Sequence, residues 1–270
     1  MAKQVYSLLL WLLLPVLLIR LLLRSIRNPD YRHRWGERFG NSADSVQGYN
    51  IWLHAVSIGE TNAAIPLVNE LLRLEPELRI LITSMTPTGS AWVIDTFGTR
   101  VDHCYIPYDY NFAVKRFLDR KQPRLLVLME TEIWPNMIHI CTERGVPIIM
   151  MNVRLSEKSR KNYSRIAPIV RPALRCITAF GTQSEEHRKR LIGLGAKPSA
   201  VHRTGSMKFE VKLAAGVHEV AEAVRREWGR DRPVVVAGST HEGEEQILLD
   251  TFRQLQSTHA GLLLVIAPRH

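Results

Sequence analysis

Short β-rich runs alternate with helical patterns along most of this chain, and that alternation limits the fold more than any other feature. Strand-like runs occupy residues 49–57, 79–84, 101–106, 124–129, 147–153 and 176–182, and segments such as 62–74 and 111–120 have helical periodicity. Strands separated by helices form βαβ units, whose strands lie parallel in a sheet that helices cover on both faces. The sequence therefore predicts an α/β fold with a parallel sheet.

A second, shorter unit follows Gly205. In it, helical patterns at 214–228 and 244–256 alternate with strand-like runs at 233–238 and 262–267. Parallel sheets are normally buried on both faces, and two strands with two helices do not provide that cover. We therefore expect this second unit to be incomplete.

The chain opens with an almost wholly apolar segment. Residues 5–23 are interrupted only by Ser7, Pro15 and Arg20, and this length is enough for a helix to cross the hydrocarbon core of a membrane. Pro15 and Arg20 both weaken a simple span, so a helix lying in the membrane interface stays an alternative. A cleaved signal peptide fits poorly, because no small-residue cleavage pattern follows.

Positive charge dominates the chain and is concentrated behind the apolar segment. The formal net charge is +10, and arginines stand at positions 24, 27, 32, 34 and 38. Only Lys3 and the amino terminus are positive upstream, so the positive-inside rule places the globular part in the cytoplasm. The arginines form no recognisable nucleic-acid module, so anionic lipids or phosphorylated small molecules are the predicted partners, and nucleic acid is not.

Two acidic turns lie where a strand-like run gives way to a helical pattern. Their sequences are HAVSIGE (54–60) and METEIWPN (129–136). Ligands of open parallel sheets bind at the carboxyl ends of the strands. We therefore expect Glu60, Glu130 and Glu132 at one rim of the sheet, where they could supply a general base and a charge stabiliser.

Each of these residues also has a purely structural interpretation. Glu60 opens a predicted helix at 61–74, whose amino-terminal field would favour the ionised carboxylate, and first-turn glutamates commonly stabilise helix ends. Glu130 and Glu132 could belong to a solvated loop. Lys208 lies where the two units meet and could neutralise a phosphate, although it could also be an ordinary linker lysine. Taken singly, these residues leave both interpretations open.

The spacing of the cysteine, histidine and acidic residues indicates no metal site. The three cysteines lack CxxC spacing, His241 and Glu242 lack the second histidine of an HExxH motif, and Asp-x-Asp does not occur. We expect neither a metal nor another cofactor.

Eight segments taken together resemble one family. In chain order they are HAVSIGE (54–60), MTPTGS (85–90), YIPYD (105–109), METEIWPN (129–136), NVRLSEKS (152–159), TGSMKF (204–209), GSTHEGEE (238–245) and APRH (267–270). The chain closely resembles 3-deoxy-D-manno-octulosonic acid (Kdo) transferases, bacterial enzymes that add Kdo to the lipid A precursor. The similarity covers essentially the whole chain, including the apolar start and the basic RHRWGERFG stretch (32–40).

The resemblance implies a GT-B glycosyltransferase with two Rossmann-like domains. Family members continue beyond residue 270, so we expect the chain to be truncated at its carboxyl end and nearly inactive alone. The implied organisation is a membrane anchor (1–24), a basic juxtamembrane segment (25–48), an amino-terminal acceptor domain (49–205), and a linker with an incomplete CMP-Kdo domain (206–270).

By motif, the resemblance implies Glu60 as the proton acceptor, Glu130 and Lys208 as transition-state stabilisers, and Pro268 and Arg269 as the start of the CMP site. The implied reaction is inverting, metal-independent transfer of Kdo from CMP-Kdo to the lipid A precursor (lipid IVA) in lipopolysaccharide core biosynthesis. It would occur at the cytoplasmic face of the inner membrane, with anionic lipid as a further partner. Two alternatives remain open: another membrane-bound GT-B glycosyltransferase, or an inactive fragment that only binds the acceptor lipid.

Overall fold

Helices and strands alternate as the sequence predicts, in a computed structural model that describes residues 2–42, 48–209 and 216–269. The chain divides into a first unit, Met1–Val211, and a second, Lys212–His270. The helices are α1 (Ala2–Arg27), α2 (Trp35–Arg38), α3 (Ile58–Leu74), α4 (Pro87–Phe97), α5 (Asn111–Lys121), α6 (Pro135–Glu143), α7 (Glu157–Arg165), α8 (Ala167–Cys176), α9 (Glu185–Leu194), α10 (Val217–Trp228) and α11 (Glu244–Gln256). The strands are β1 (Ile51–His54), β2 (Ile80–Ser84), β3 (Asp102–Tyr105), β4 (Leu126–Met129), β5 (Ile148–Val153), β6 (Ala179–Thr182), β7 (Val201–Arg203), β8 (Val234–Thr240) and β9 (Leu263–Pro268).

The first unit contains one parallel sheet in the order β3-β2-β1-β4-β5-β6-β7. The order reverses direction between β1 and β4, which are direct neighbours. In sheets of this kind, ligands bind in the crevice at such a switch point, beyond the carboxyl ends of the strands. The two loops that border this crevice are the ones that carry the acidic turns.

Alternating side chains of the strands enter cores on opposite faces of the sheet. In β1, Trp52 belongs to one buried cluster, whereas Ile51 and Leu53 belong to the other. Helices α3 and α4 close the second cluster with residues such as Ala64 and Val93. The sheet is therefore covered on both faces, which makes its strands a fixed frame for the loops at their ends.

The start of α3 differs from the sequence prediction. The helix begins at Ile58 and not at residue 61, because the Ser57 side chain accepts the Glu60 N–H and caps the helix. Glu60 therefore lies inside the first helical turn. The three-residue strand β7 was not predicted, since so short a run shows no periodicity.

The second unit contains α10, α11 and the parallel strand pair β8–β9. These are the two helices and two strands that the sequence predicts. Large apolar side chains of this unit, among them Val236 and Ile247, are exposed.

Candidate active site

The candidate site lies at the carboxyl ends of β1 and β4, at the switch point of the first sheet. Glu60 enters from the loop after β1 and the first turn of α3. Glu130 follows β4 directly in a left-handed conformation (φ 57°), and its N–H donates to the Met151 carbonyl at 2.8 Å. This conformation is uncommon for a residue with a side chain, so the bond to β5 fixes the direction in which the acidic loop leaves the sheet.

The carboxylate of Glu60 is buried and held by its own loop. It accepts the Val56 N–H at 2.7 Å and the Ser57 hydroxyl at 3.2 Å, while the Glu60 N–H donates to Ser57 Oγ at 3.3 Å. This reciprocal pattern is close to a capping box. Glu60 therefore does stabilise the start of the helix, as its structural interpretation predicts. The same hydrogen bonds also fix the orientation of its carboxylate.

Burial raises the pKa of Glu60 to about 7, and the neighbouring charges of Glu132 and Glu130 add to that rise. The hydrogen bonds from Val56 and Ser57 act in the opposite direction and do not outweigh the burial. The helix terminus was expected to favour the ionised form of Glu60, but the net effect of its surroundings is to favour the protonated form. A carboxylate with a pKa near neutrality is well suited to accept a proton.

Glu130 and Lys208 form an ion pair across the site. Lys208 Nζ lies 3.7 Å from Glu130 Oε1, and both side chains remain accessible. Lys208 belongs to a short 3-10 turn, Met207–Phe209, whose Met207 N–H donates to Asn152 Oδ1 at 3.2 Å. The last turn described in the first unit thereby places the Lys208 ammonium beside the loop that carries Glu130 and Glu132.

Glu132 is held by an aromatic neighbour. Trp134 Nε1 donates to Glu132 Oε2 at 2.8 Å, and the Trp134 ring meets the buried His54 ring edge to face at 5.7 Å. Burial raises the pKa of Glu132, and burial lowers the pKa of His54 to about 4, so His54 is neutral at physiological pH. The three carboxylates and Lys208 thus share one region of the first unit.

Pro268 and Arg269 lie in the second unit, at the carboxyl end of β9. The Arg269 N–H donates to the Thr240 carbonyl at 3.1 Å, and Arg269 Nη1 lies 3.3 Å from His241 Nε2. The loop after β8 and the end of β9 therefore meet, as the carboxyl ends of neighbouring parallel strands should.

Comparison with known proteins identifies the family. Residues 33–211 match the family model described as 3-deoxy-D-manno-octulosonic-acid transferase (kdotransferase). The chain belongs to the Kdo transferase family. It is 37% identical to 3-deoxy-D-manno-octulosonic acid transferase of Haemophilus influenzae over 98% of this chain, and 36% identical to that of Bordetella pertussis over 86%. The chain spans 62% and 55% of those two relatives' lengths.

A solved structure confirms the fold class. UDP-GlcNAc 2-epimerase from Neisseria meningitidis, bound to UDP-GlcNAc, superposes with a TM-score of 0.54 at 12% sequence identity. The match covers 82% of this chain and 65% of the epimerase. At this identity the likeness concerns the fold alone, and it agrees with the predicted GT-B architecture of two Rossmann-like parallel-sheet units.

The sequence alone indicated no structural role in the site for Asn152, the first residue of the NVRLSEKS segment. Asn152 is fully buried at the end of β5 with φ 58°, and its Oδ1 accepts from both Gln183 Nε2 and the Met207 N–H. A signal was present, because asparagine tolerates the left-handed region better than most residues. Among the described residues, no group of three or more His, Cys, Asp or Glu is placed to hold a metal ion.

Proposed function

We propose that this chain catalyses, as part of a Kdo transferase, the transfer of Kdo from CMP-Kdo to the lipid A precursor, lipid IVA. Membership of the family supports the reaction class. The observation that carries the proposal is the buried Glu60 carboxylate, with its pKa near 7, beside the Glu130–Lys208 ion pair at the switch point. A base and a cation are thereby available on one rim of one sheet.

In the proposed mechanism Glu60 is the proton acceptor. It takes the proton of the acceptor hydroxyl while that oxygen forms a bond to the anomeric carbon of Kdo. The bond from the anomeric carbon to the CMP phosphate oxygen breaks, and its electron pair leaves with CMP. A single displacement of this kind inverts the anomeric configuration.

Lys208 and Glu130 stabilise the two charges that develop in this step. The ammonium of Lys208 offsets negative charge on the departing phosphate, and Glu130 offsets positive charge on the sugar ring. Glu130 also holds Lys208 by their ion pair. With a lysine in this role, the proposed transfer needs no metal ion.

We assign residues 49–205 to the acceptor domain and residues 206–270 to the linker and part of the CMP-Kdo domain. Pro268 and Arg269 would begin the CMP subsite, in which Arg269 pairs with phosphate. Residues 1–24 would anchor the enzyme at the cytoplasmic face of the inner membrane, and the basic stretch 25–48 would attract anionic lipid. Among the described residues, α1 is the one helix long and apolar enough to cross a membrane.

Mass spectrometry of reaction products tests the proposal. The protein that contains this chain, incubated with CMP-Kdo and lipid IVA, should yield lipid IVA carrying Kdo, whereas other nucleotide sugars should yield no product. Transfer from a different nucleotide sugar in preference to CMP-Kdo would contradict the donor assignment. Residues 1–270 assayed alone should show little transfer, because positioning of the donor supplies much of the rate.

A further inference from the structure

The first two turns of α1 are tied to the globular part of the first unit by polar side chains. Three contacts share this role: Lys3 Nζ with Glu143 Oε1 at 2.8 Å, Tyr6 OH with Asp109 Oδ2 at 2.9 Å, and Ser7 Oγ with Asn136 Oδ1 at 3.0 Å. Glu143 is the last residue of α6, whereas Asn136 lies in its first turn. The amino-terminal end of α1 therefore lies against α6.

The middle of α1 packs on an aromatic cluster of the same unit. Leu10, Leu14 and Leu17 contact the cluster formed by Tyr108, Tyr110 and Ala113. The Tyr110 hydroxyl donates to the Leu10 carbonyl at 2.8 Å, and the Trp11 ring meets the Tyr110 ring edge to face at 5.6 Å. These contacts lie on the same face of α1 as the three polar contacts.

The carboxyl-terminal end of α1 is also held. Leu21 and Ser25 are buried, and Arg32 Nε donates to the Ser25 carbonyl at 3.1 Å. Docked residues thus recur every three or four positions from Lys3 to Ser25, which is one face of a helix over its whole length.

The opposite face of α1 is apolar and exposed along the same length. Its large side chains are Val5, Leu8, Leu9, Leu12, Leu13, Val16, Ile19, Leu22, Leu23 and Ile26, and Leu12 and Ile26 are 68% and 70% exposed. Arg20, Arg24 and Arg27 add exposed positive charge near one end. An apolar strip of this size next to arginines complements an anionic lipid surface.

These contacts do not allow α1 to cross a bilayer. A helix of 26 residues is about 39 Å long, which exceeds a hydrocarbon core of about 30 Å. If these contacts were kept, a spanning α1 would carry Lys3 and its partner Glu143 to the far side of the bilayer. It would also place Asp109, the partner of Tyr6, in hydrocarbon, where a carboxylate is very costly. The amino-terminal end and the middle of α1 instead contact the globular part of the first unit, and its carboxyl-terminal end contacts Arg32.

We propose that α1 lies in the plane of the leaflet as a monotopic anchor, with its docked face on the first unit and its apolar face in an anionic bilayer surface. The proposal rests on the membrane association stated above but not on the chemistry of transfer. It also links anchor and site. Asp109 accepts the Asn136 and Met137 N–H groups at the start of α6, the helix that follows the Glu130–Glu132 loop. Docking of α1 thereby fixes the distance of that loop from the membrane.

A depth profile tests the orientation of α1. Val5→Cys, Leu12→Cys and Leu23→Cys, each labelled with an environment-sensitive fluorophore, are reconstituted as the whole protein in vesicles of phosphatidylethanolamine and phosphatidylglycerol. Within residues 1–270, Cys104 and Cys141 are buried, and Cys176→Ser removes the more accessible third thiol. Quenchers placed at shallow and deep positions of the lipid chains report the depth of each label.

We expect all three labels at one shallow depth, about 5–10 Å below the headgroups. A profile that is deepest at Leu12 and shallow at Val5 and Leu23 would show a span and overturn the proposal. In a parallel sample of unlabelled protein, a disulfide between two Leu12→Cys chains after mild oxidation, together with labels that lipid quenchers do not reach in the labelled protein, would show that a second copy covers this face and would also overturn it. Failure of the protein to sediment with vesicles would instead refute the membrane association itself.

A cross-link between two residues outside the core, the half-exposed Lys3 and the exposed Glu143, gives a second readout. Lys3→Cys with Glu143→Cys should be joined by a short bis-maleimide in native membranes. Lys3→Cys with Glu157→Cys is the control, because Glu157 pairs with Arg160 on another helix, α7. Modification of Lys3→Cys by an impermeant maleimide from the periplasmic side would contradict the in-plane anchor.

Discussion

Replacing Glu60 by glutamine should stabilise the protein at alkaline pH while leaving its stability at acid pH unchanged. Folding raises the pKa of this carboxyl from its ordinary 4.5 to about 7, mainly by burial. That difference corresponds to about 3 kcal/mol of unfavourable free energy for the ionised form in the folded protein. Glutamine keeps the shape of the protonated acid and carries no charge.

The sign of the effect follows from proton binding. Between pH 4.5 and about 7 the folded protein holds the Glu60 proton and the unfolded chain does not, so the stability of the unsubstituted protein falls as the pH rises. Above pH 7 both states are ionised at this position, and the loss is complete. The advantage of Glu60→Gln should therefore grow from near zero at pH 4.5 to about 3 kcal/mol at pH 8.

Urea unfolding at pH 5 and at pH 8 measures this difference. Glu70→Gln is the matched control, because Glu70 lies on the same helix and pairs with Arg73 at the surface. Equal destabilisation of Glu60→Gln at both pH values would refute the reasoning. It would show that Glu60 serves mainly as a cap and that its charge is not strained by burial.

Two further predictions concern catalysis. In the proposed mechanism Lys208 faces the leaving phosphate, so Lys208→Ala should lower both turnover and CMP-Kdo affinity, and Lys208→Arg should restore part of both; unchanged donor affinity in Lys208→Ala would place the lysine away from the phosphate. The value of kcat/KM should rise with pH through about 7 as Glu60 loses its proton, and a limb that persists in Glu60→Gln would assign that ionisation to another group.

The alternation of strands and helices was enough to predict the parallel sheet, because a period of two and a period near 3.6 are local properties of the sequence. It also placed the two acidic turns at one rim, since the carboxyl ends of parallel strands lie together. The strand β7 escaped prediction because its three residues carry no period.

Other parts of the site depend on contacts between distant residues. Lys208 reaches Glu130 from the Met207–Phe209 turn, which donates a hydrogen bond to Asn152, and nothing local to the lysine shows this. The pKa of Glu60 depends on how deeply packing buries its carboxylate, which outweighs the helix-terminus effect expected from the sequence.

The orientation of α1 was equally beyond local reasoning. Hydropathy shows that the helix is apolar, but it does not show that Lys3, Tyr6 and Ser7 have partners on the globular unit. The sequence therefore left a span and an interfacial helix as open alternatives, and the tertiary contacts are what support the proposal of an in-plane helix.

The most direct test of the account is the single-turnover rate of Kdo transfer to lipid IVA by Glu60→Gln, measured beside Glu70→Gln at saturating CMP-Kdo. If Glu60 is the base, its substitution should slow the chemical step by about 10²- to 10⁴-fold with nearly unchanged CMP-Kdo affinity, while Glu70→Gln keeps the normal rate. Near-normal single-turnover chemistry in Glu60→Gln would contradict the central claim and transfer the role of base to Glu130 or Glu132.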